Sequence, residues 1–435
     1  MTNKEKSKQI CLQIINNNQQ SINYIPMELR QYQKDISKQA SEILKGKKIV
    51  YLSMEVRTGK TLTALNAAEL YGAKNVLFLT KKRAIKSIED DYKNFGFSFD
   101  LKAINNESAH KFIGEYDLLI SDEHHRNGAF PKPNKMTKFI KDNYSHLPMI
   151  FLSGTPHPES YSQIFHQFWC SKFSPFKEKT FYKWAKEYVE VKDRHLGYAV
   201  VKDYTGAKMD LINPIIKPYM ISFTQKQAGF DTQVNENILK VKMKPLTYQL
   251  AQKLQRDKFI VANDGSEIIA DTAVKEMQKL HQIYSGTVIF EDGKSRIFDT
   301  SKADYIKNYF KGKKIGLFYK FKAEYDCLKS VFGDQLTNDL KEFNETGKNI
   351  ALQIVSGSEG ISLKNADYLV YFNIDFSSKN YWQSRDRLTT MQRKSNDVFW
   401  VFAENGIEEK IYTKVLQKKS YTLNVFKKDF VYLST

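Results

Sequence analysis

Short apolar runs alternate with amphipathic stretches in two parts of the chain, and each part has the pattern of a parallel α/β sheet. The runs predicted as strands in the first part are Ile49–Ser53, Asn75–Thr80, Asp117–Ser121 and Met149–Ser153. Those in the second part are Lys314–Tyr319, Ile350–Val355, Tyr368–Asn373 and Val398–Phe402. The stretches predicted as helices include Lys82–Phe95, Ala323–Val331, Asn380–Thr390 and Ile407–Leu416. Strands that alternate with helices form parallel sheets with crossover helices, and such sheets bind ligands beyond the carboxyl ends of their strands.

Two segments interrupt this alternation and one precedes it. Residues 157–235 are rich in aromatic and basic side chains, which favours a helical subdomain with an aromatic core; a DNA-facing surface is the alternative. Residues 240–300 are predicted to be mostly helical, with a hairpin near Gly286–Phe298. The predicted division of the chain is an N-terminal extension at 1–24, a first lobe at 25–225 with a helical subdomain at about 157–225, and a second lobe at 226–435 with a helical entry segment at about 240–300.

The charge of the chain indicates a polyanionic partner. Its 435 residues include 67 lysines and arginines against 49 aspartates and glutamates, a formal net charge of +18 at pH 7. Nucleic acid is the first expectation and an anionic membrane surface the second, while a lysine-rich genome would give the same excess without a partner.

The cysteines indicate a reducing compartment, and the hydropathy does not predict a membrane span. Cys11, Cys170 and Cys327 are scattered and lack metal-ligand spacing, which argues against a disulfide framework and a zinc site. No apolar run is long enough for a membrane span. We therefore expect a cytoplasmic protein.

A glycine-containing turn follows the first predicted strand. Residues 54–61 read Met-Glu-Val-Arg-Thr-Gly-Lys-Thr, and the stretch after them has helical character. Gly59 lets the backbone curl around phosphate oxygens, and the helix that starts there presents unpaired N–H groups to an anion. In a nucleoside-triphosphate site, Lys60 would contact the β- and γ-phosphates and the Thr61 hydroxyl would bind Mg²⁺. Met54 departs from the usual pattern, which has a first glycine at that position.

An acidic pair ends an apolar strand later in the chain, where Leu118–Ser121 is followed by Asp122-Glu123-His124-His125. In the enzymatic interpretation Asp122 holds Mg²⁺, directly or through water, and Glu123 orients and deprotonates the attacking water. The alternative is a solvated surface turn, and the Gly-Lys-Thr turn favours the enzymatic interpretation over it. The histidines are not expected to bind a metal, because adjacent side chains diverge. One of them is expected to couple the phosphate site to the neighbouring lobe.

The order of Gly59-Lys60-Thr61, Asp122–His125 and Ser153-Gly154-Thr155-Pro156 resembles that of superfamily-two helicases and translocases. The resemblance is nearest to the Swi/Snf-like branch, in the compact form seen in bacteriophages, and it covers roughly residues 27–420. It implies two RecA-like parallel-sheet lobes with ATP and Mg²⁺ in the cleft between them, and a helical, aromatic-rich insertion between the motifs of the two lobes. It also implies that His124, Ser153 and Thr155 couple the nucleotide state to the grip on nucleic acid.

Two further segments of the first lobe carry the resemblance. Leu29–Gln33 resembles the nucleotide-recognition segment of this branch, which implies that Gln33 reads the adenine edge, with Arg30 or Tyr32 packing nearby. Leu77–Arg83 resembles the segment that contacts the nucleic-acid backbone; a solvated basic loop is the alternative. The backbone contacts implied here are Thr80, Lys81, Lys82 and Arg83.

Three segments of the second lobe also carry the resemblance. Lys314–Phe321 resembles the opening strand and loop of that lobe, which implies a nucleic-acid contact for Lys320. Ser356–Leu363 resembles a glycine-rich turn that contacts both DNA and nucleotide. Tyr381–Arg387 resembles the arginine-finger motif, in which a guanidinium neutralises charge on the transferring phosphoryl group. The family's second arginine falls at Thr390, so Arg387 is the first candidate for the finger, with Arg385 and Arg393 as substitutes.

Together these segments define the predicted sites. The predicted catalytic side chains are Lys60, Asp122, Glu123, Arg385 and Arg387. The predicted nucleotide contacts are Arg30, Gln33, Arg57, Thr58, Gly59, Lys60, Thr61, Gly360 and Gln383. The predicted nucleic-acid contacts beyond Thr80–Arg83 are Lys320, Ser356 and Ser358.

The resemblance implies a DNA helicase that couples ATP hydrolysis to translocation and unwinding in phage replication or recombination. Single-stranded or forked DNA is the expected substrate, and other replication proteins are candidate partners. A duplex translocase that does not separate strands is the first alternative, because the Swi/Snf-like branch mostly acts in that way. An ATP-gated DNA-binding loader is the second, although Asp122 and Glu123 count against slow hydrolysis.

Overall fold

The structure, a computed structural model, describes residues 28–112, 114–157, 160–195, 200–230, 233–357, 362–377, 384, 388 and 395–416. Its strands are β1 Ile49–Met54, β2 Asn75–Thr80, β3 Asp100–Asn105, β4 Leu118–Ser121, β5 Met149–Ser153, β6 Val189–His195, β7 Val200–Ala207, β8 Met220–Phe223, β9 Gln233–Val241, β10 Phe259–Val261, β11 Glu267–Ile269, β12 Thr287–Ile289, β13 Ser295–Ile297, β14 Ile315–Tyr319, β15 Leu336–Thr337, β16 Asn349–Gln353, β17 Tyr368–Tyr371 and β18 Ser395–Ala403. Its α-helices are α1 Gln31–Lys47, α2 Lys60–Tyr71, α3 Ile85–Phe95, α4 Lys135–Tyr144, α5 Ile164–Trp169, α6 Phe181–Tyr188, α7 Met209–Ile216, α8 Pro245–Asp257, α9 Ala273–Tyr284, α10 Ser301–Tyr309, α11 Lys322–Phe332, α12 Leu340–Glu345, α13 Ile354–Gly357 and α14 Glu408–Leu416.

The first sheet has six parallel strands in the order β3-β2-β4-β5-β1-β8. Alternate residues of β1 point to its two faces, which places Tyr51 in one hydrophobic cluster and Leu52 in the other. Helices α1 and α2 cover the Leu52 face, while α4 and the aromatic segment that follows β5 cover the Tyr51 face. The central strands are apolar runs buried on both faces, as is typical of parallel sheets.

The second sheet also has six parallel strands, in the order β15-β16-β14-β17-β18-β9. Strand β9 pairs with β18 along its whole length, from Gln233–Ser395 to Val241–Ala403. The chain therefore passes from the first sheet to the second between Phe223 and Gln233. The two parallel sheets confirm the predicted fold class.

The segment after β5 combines helices with a hairpin. Its aromatic side chains pack together, with Phe165, Phe168 and Trp184 fully buried, as predicted for an aromatic core. Between Val189 and Ala207, however, the chain forms the antiparallel pair β6–β7 instead of a helix. The segment predicted to be helical therefore also contains a hairpin, whose exposed residues do not show the apolar spacing of a core strand.

The segment before β14 also contains more strand than predicted. Helices α8 and α9 are present, and β12–β13 confirms the hairpin predicted within Gly286–Phe298. A second antiparallel pair, β10–β11, lies between the two helices. Within the described residues, none of the helices has the length and apolar character that crossing a bilayer would require.

Candidate nucleotide site

The residues predicted to bind nucleotide follow strands that are neighbours in the first sheet. Lys60 follows β1, Asp122 follows β4, and Ser153 ends β5, which lies between those two strands. Lys81 follows β2, on the far side of β4. Because the strands are parallel, these four segments lie along one edge of the sheet, where such sheets bind their ligands.

The turn between β1 and α2 requires glycine at position 59 for two reasons. Gly59 has φ 77°, a conformation that side chains other than glycine rarely adopt. A Cβ at this position would also lie 2.1 Å from Nε2 of Gln33. The turn is closed by the buried Thr58, whose hydroxyl donates a hydrogen bond of 2.7 Å to the Glu55 carbonyl.

Met54 occupies the position of the missing first glycine because the strand continues to that point. It is fully buried and pairs with Phe223 of β8. After β8, the backbone N–H of Gln225 donates to Oε2 of Glu55 at 2.7 Å, and its side-chain amide donates to the Val56 carbonyl at 2.9 Å. The segment after β8, which the sequence did not single out, therefore supports the start of the turn.

Lys60 lies between the ends of β1 and β5. Its Nζ donates to the Glu55 carbonyl at 3.3 Å, and it is 3.8 Å from the position that a Cβ on Gly154 would take. Its charge also favours the ionised form of Asp122. An ammonium group beside a turn of this kind is suited to binding phosphate oxygens.

Asp122 is held at the end of β4 by two hydrogen bonds of 2.9 Å, from the Thr80 hydroxyl to Oδ2 and from the Glu123 N–H to Oδ1. Burial, and then the charge of Glu123, raise the pKa of Asp122 to about 6, against the opposing effects of Lys60 and Thr80. Thr80 is itself fully buried, so its hydroxyl contacts Asp122. This placement differs from the nucleic-acid contact predicted for Thr80.

Glu123 begins a chain of contacts that leads to the end of β5. Its backbone has φ 49°, an uncommon conformation for a residue with a side chain. Its Oε2 lies 3.4 Å from Nδ1 of His125, and the same nitrogen lies 2.7 Å from the Ser153 hydroxyl. The Ser153 oxygen in turn accepts the N–H of Thr155 at 3.0 Å. The carboxylate predicted to activate water is thus connected to Ser153 and Thr155 through His125.

His124 lies in the core instead of in this chain of contacts. Its ring stacks on Phe151 with the centroids 3.6 Å apart, and its two nitrogens lie 2.9 Å from the Ser121 hydroxyl and the Gln167 carbonyl. Burial lowers the pKa of His124 to about 3, so the ring is neutral near pH 7. The contacts to Glu123 and Ser153 are therefore made by His125 and not by His124.

Gln167 is a buried residue that the sequence did not identify. Its Oε1 accepts the Tyr51 hydroxyl at 2.7 Å, and its Nε2 donates to the carbonyls of Pro156 and Gln163 at 2.7 and 3.0 Å. It therefore joins β1, the turn after Ser153 and α5. A single glutamine in an aromatic stretch gives no local signal of such a role.

The residues present fit a magnesium ion that is bound together with a nucleotide. Mg²⁺ usually takes one or two carboxylates and completes its coordination with phosphates and water. Asp122 offers a carboxylate, and Thr61 offers a hydroxyl in the first turn of α2. In the described part of the chain, no group of three His, Cys, Asp or Glu side chains could hold a metal by itself.

A cavity of about 320 Å³, named here the base cavity, adjoins Gly59. Gln33 accepts the Arg30 N–H on Oε1 at 2.9 Å and donates from Nε2 to the Gly59 carbonyl at 3.4 Å. A carboxamide has two N–H groups and two acceptor lone pairs, and these bonds use one of each. The lining residues are Glu28, Arg30, Tyr32, Gln33, Arg57, Gly59, Leu62 and Phe95.

A second cavity, of about 410 Å³, lies between the carboxylates and the predicted nucleic-acid loop. Arg126, which the sequence did not single out, adds a fourth cation to Lys81, Lys82 and Arg83. Val355 lines the same cavity from the second lobe. The remaining lining residues are Ala84, Asn105, Glu107, Asp122 and Glu123.

Lys320 lies in an internal ion pair instead of facing a surface phosphate. Its Nζ is 2.9 Å from Oδ1 of Asp375 and 3.4 Å from the ring centroid of Phe376. Burial lowers the pKa of Lys320, and Asp375 opposes this effect. The pair connects the segments that follow β14 and β17, and this use of the ammonium group differs from the predicted DNA contact.

The other predicted residues of the second lobe are described in part or not at all. Ser356 lies in the short helix α13, where the structure describes the backbone. Next to that segment, Nη1 of Arg57 donates to the Ser362 hydroxyl at 3.5 Å, so the β1–α2 turn contacts the second lobe. The residues that lie outside the described ranges are Ser358, Gly360, Gln383, Arg385, Arg387 and Arg393.

Part of the chain is similar in sequence to a known family, and the whole chain has weak structural similarity to two solved structures. Residues 26–105 match the family "Type III restriction enzyme, res subunit". No curated protein matches the chain by sequence. The SWI2/SNF2 ATPase core of Sulfolobus solfataricus in complex with dsDNA is 15% identical over 93% of each chain, with a TM-score of 0.41. The SWI2/SNF2 ATPase core domain of the same organism is 15% identical over 96% of this chain and 93% of that one, with a TM-score of 0.40.

The family match covers the turn that carries Lys60 and the strand that leads to Lys81. The remaining motifs follow in the predicted order along the same sheet edge, and a second parallel sheet of six strands lies beyond them. The family match therefore lies in the first lobe, and the two parallel sheets agree with the fold class that the sequence predicts.

Proposed function

We propose that this protein is a DNA-stimulated ATPase that converts nucleotide hydrolysis into movement along DNA and thereby separates strands. The observation that carries the proposal is the hydrogen bond from Thr80 to Asp122. Thr80 is the last residue of β2, directly before the basic segment Lys81–Arg83, and Asp122 is the carboxylate beside Lys60. A change in charge at Asp122 therefore acts directly on the strand that carries the cationic loop.

In this mechanism the first lobe binds and orients the triphosphate. Lys60 and the N–H groups at the start of α2 bind the phosphate oxygens, and Gln33 faces the base from the cavity beside Gly59. Asp122 and Thr61 would hold Mg²⁺, which when bound neutralises charge on the phosphates. Glu123 accepts a proton from the water that attacks the terminal phosphorus.

The second lobe completes the site when the lobes close. Arg387, or in its place Arg385 or Arg393, would bring a guanidinium to the transferring phosphoryl group. The contact between Arg57 and Ser362 supports an approach of the β1–α2 turn to the second lobe. Closure with ATP and opening after hydrolysis would move the basic surface of one lobe relative to that of the other.

DNA is the proposed polymer, and its phosphates would meet the four cations of the second cavity, Lys81, Lys82, Arg83 and Arg126. The net charge of +18 is in keeping with a polyanion. Each phosphate that a cation neutralises releases counterions, so binding should weaken steeply with salt. A role in phage replication is a prediction from the sequence resemblance alone.

The first experiment measures ATP hydrolysis with single-stranded DNA, duplex DNA, RNA and no nucleic acid. Hydrolysis that rises at least several-fold with DNA, and that Lys60→Ala abolishes in a folded protein, is the expected result. Turnover that is independent of nucleic acid, or near-normal turnover in the folded Lys60→Ala variant, would overturn the proposal. Unwinding of a forked duplex is then compared with displacement of a triplex strand. Triplex displacement without unwinding would assign a duplex translocase instead of a helicase.

A further inference from the structure

One aromatic side chain of the base cavity belongs to none of the predicted motifs. Phe95 is the last residue of α3, where Gly96 ends the helix with φ 66°. Its ring is half-buried and lines the base cavity together with Gln33, Arg30 and Gly59. A phenylalanine at this position has no polar chemistry, so its contribution to a ligand would be its flat apolar face.

The ring is supported from behind by other aromatic residues. Phe95 and Phe97 lie with their ring centroids 6.3 Å apart and their planes 14° apart. Phe97 in turn stacks on Phe99, with the centroids 5.9 Å apart and a plane angle of 25°. Phe99 is buried, so this row of rings is anchored in the core of the first lobe. Phe95 is therefore a supported platform at the edge of the row.

The other aromatic ring of the base cavity is already engaged. Tyr32 stacks on Phe223 with the centroids 4.9 Å apart, and its hydroxyl donates to the Thr58 carbonyl at 3.2 Å. Tyr32 thus forms a fixed wall of the cavity. Phe95 lines both this cavity and a neighbouring one of about 280 Å³, whereas Phe97 lines the neighbouring cavity and not the base cavity.

The position and size of the base cavity indicate the ligand. It includes Gly59, the residue directly before Lys60, so its occupant is adjacent to the phosphate-binding turn. Its volume of about 320 Å³ lies at the small end of the range of about 300–1,000 Å³ that is typical of ligand pockets. An aromatic face, an amide edge from Gln33 and an aliphatic wall from Leu62 suit a flat heterocycle with polar edges.

We propose that Phe95 stacks on the base of the bound nucleotide and makes the site selective for a nucleoside triphosphate over a bare polyphosphate. This inference rests on the proposed nucleotide site, to which it adds a specificity-determining residue. Stacking acts on the base and not on the phosphates. Removal of the ring should therefore weaken the binding of nucleotides and leave polyphosphate binding unchanged.

The test compares the dissociation constants of ADP and of inorganic tripolyphosphate, both with Mg²⁺, by calorimetric titration. For Phe95→Ala we expect ADP binding to weaken roughly tenfold or more, because the base loses its aromatic partner and tenfold corresponds to about 1.4 kcal/mol. Tripolyphosphate should bind as it does to the wild type, and Phe95→Trp should restore ADP binding. In ATP hydrolysis, KM should rise more than kcat falls. Phe112→Leu is the matched control, because this exposed ring of the first lobe does not line the base cavity, and its ADP affinity should stay within about twofold of the wild type.

Two results would overturn the proposal. One is an ADP affinity of Phe95→Ala equal to that of the wild type. The other is an equal loss of ADP and tripolyphosphate binding, which would indicate a structural role. If Phe95→Ala does not fold, Phe95→Leu keeps most of the apolar volume without the aromatic face, and the same comparison applies to it. Failure of the wild type to bind either ligand would instead refute the proposed nucleotide site.

Discussion

Nδ1 of His125 lies 2.7 Å from the Ser153 hydroxyl, while the same nitrogen lies 3.4 Å from the Glu123 carboxylate. His125 and Ser153 are both buried, and they belong to the segments that follow or end the adjacent strands β4 and β5. A shift of the Glu123 carboxylate during hydrolysis would therefore move the Ser153 hydroxyl. Because Ser153 also accepts the Thr155 N–H, the displacement would reach the backbone beyond β5.

Ser153→Ala should uncouple hydrolysis from DNA. The substitution removes the oxygen that faces His125 and Thr155 but leaves Lys60 and Asp122 in place, so we expect nucleotide binding to be retained. The DNA-stimulated part of ATP hydrolysis should fall roughly tenfold, the effect of losing about 1.4 kcal/mol of transition-state stabilisation. The measurement is the ATPase rate with and without DNA, with ADP affinity determined in parallel.

Ser162→Ala is the matched control for this prediction. Ser162 is also fully buried in the first lobe, and its hydroxyl donates at 2.5 Å to the Tyr204 carbonyl, away from His125. It should lose stability to a similar extent but keep its stimulation by DNA. If both variants lose stimulation equally, the contact between His125 and Ser153 has no special part in coupling.

The arginine finger can be assigned by three substitutions. Arg387→Ala should bind ADP normally and lose most of its turnover, by roughly 10²-fold or more, because the guanidinium acts on charge that develops in the transition state. Arg385→Ala and Arg393→Ala should keep most of the wild-type turnover. The measurement is single-turnover ATP hydrolysis at saturating DNA. If Arg385→Ala or Arg393→Ala is the crippled variant, the finger lies at that position instead.

The central strands of both sheets could be predicted from the sequence because they are buried on both faces. A strand that helices cover on both faces, such as Leu118–Ser121, forms a nearly continuous apolar run that is visible in the sequence. The edge strands β3 and β9 are harder to predict because they are only partly buried and polar residues break up their apolar positions. The same holds for the hairpin β6–β7, which lies within the segment predicted to be helical.

Residues of the site were predictable where a local pattern marks the chemistry. Lys60 and Asp122 stand in such patterns and lie on one sheet edge. The contacts of Lys320 and Gln167 were not predictable, because their partners come from distant parts of the chain. Lys320 meets Asp375 only after β14 and β17 have paired, and Gln167 meets Tyr51 only after α5 has packed on the sheet.

The buried pair of Lys302 and Glu408 should be more sensitive to the loss of one partner than to the loss of both. Nζ of Lys302 lies 3.0 Å from Oε1 of Glu408, and the two side chains are 1% and 0% exposed. Glu408→Gln leaves a buried ammonium group without its counter-charge, which should lower the free energy of unfolding by about 3–5 kcal/mol. The double variant Lys302→Met with Glu408→Leu should recover most of that loss.

An exposed neighbour provides the control for this prediction. Glu409, the next residue of α14, pairs with Lys240 at 3.0 Å, and these side chains are 50% and 52% exposed. Glu409→Gln should change the free energy of unfolding by at most about 1 kcal/mol. Urea unfolding of the four proteins gives the comparison. If the double variant is no more stable than Glu408→Gln, the buried charge is not the cause of the loss.

His166 should make the first lobe sensitive to acid. Its ring is buried, and Nδ1 donates to the Ala129 carbonyl at 2.6 Å. Burial lowers the pKa of His166 from its ordinary 6.5 to about 4. Between pH 6.5 and pH 4 the His166 imidazole is protonated in the unfolded chain but not in the folded lobe. The free energy of unfolding is therefore highest above pH 6.5 and decreases as the pH falls to 4. One group shifted in this way removes about 3 kcal/mol of unfolding free energy over that interval.

His166→Gln should therefore reduce the difference between urea unfolding at pH 7 and at pH 4.5, while His146→Gln, at an exposed position, should not. An equal loss in His166→Gln and the wild type would show that His166 does not set this pH dependence.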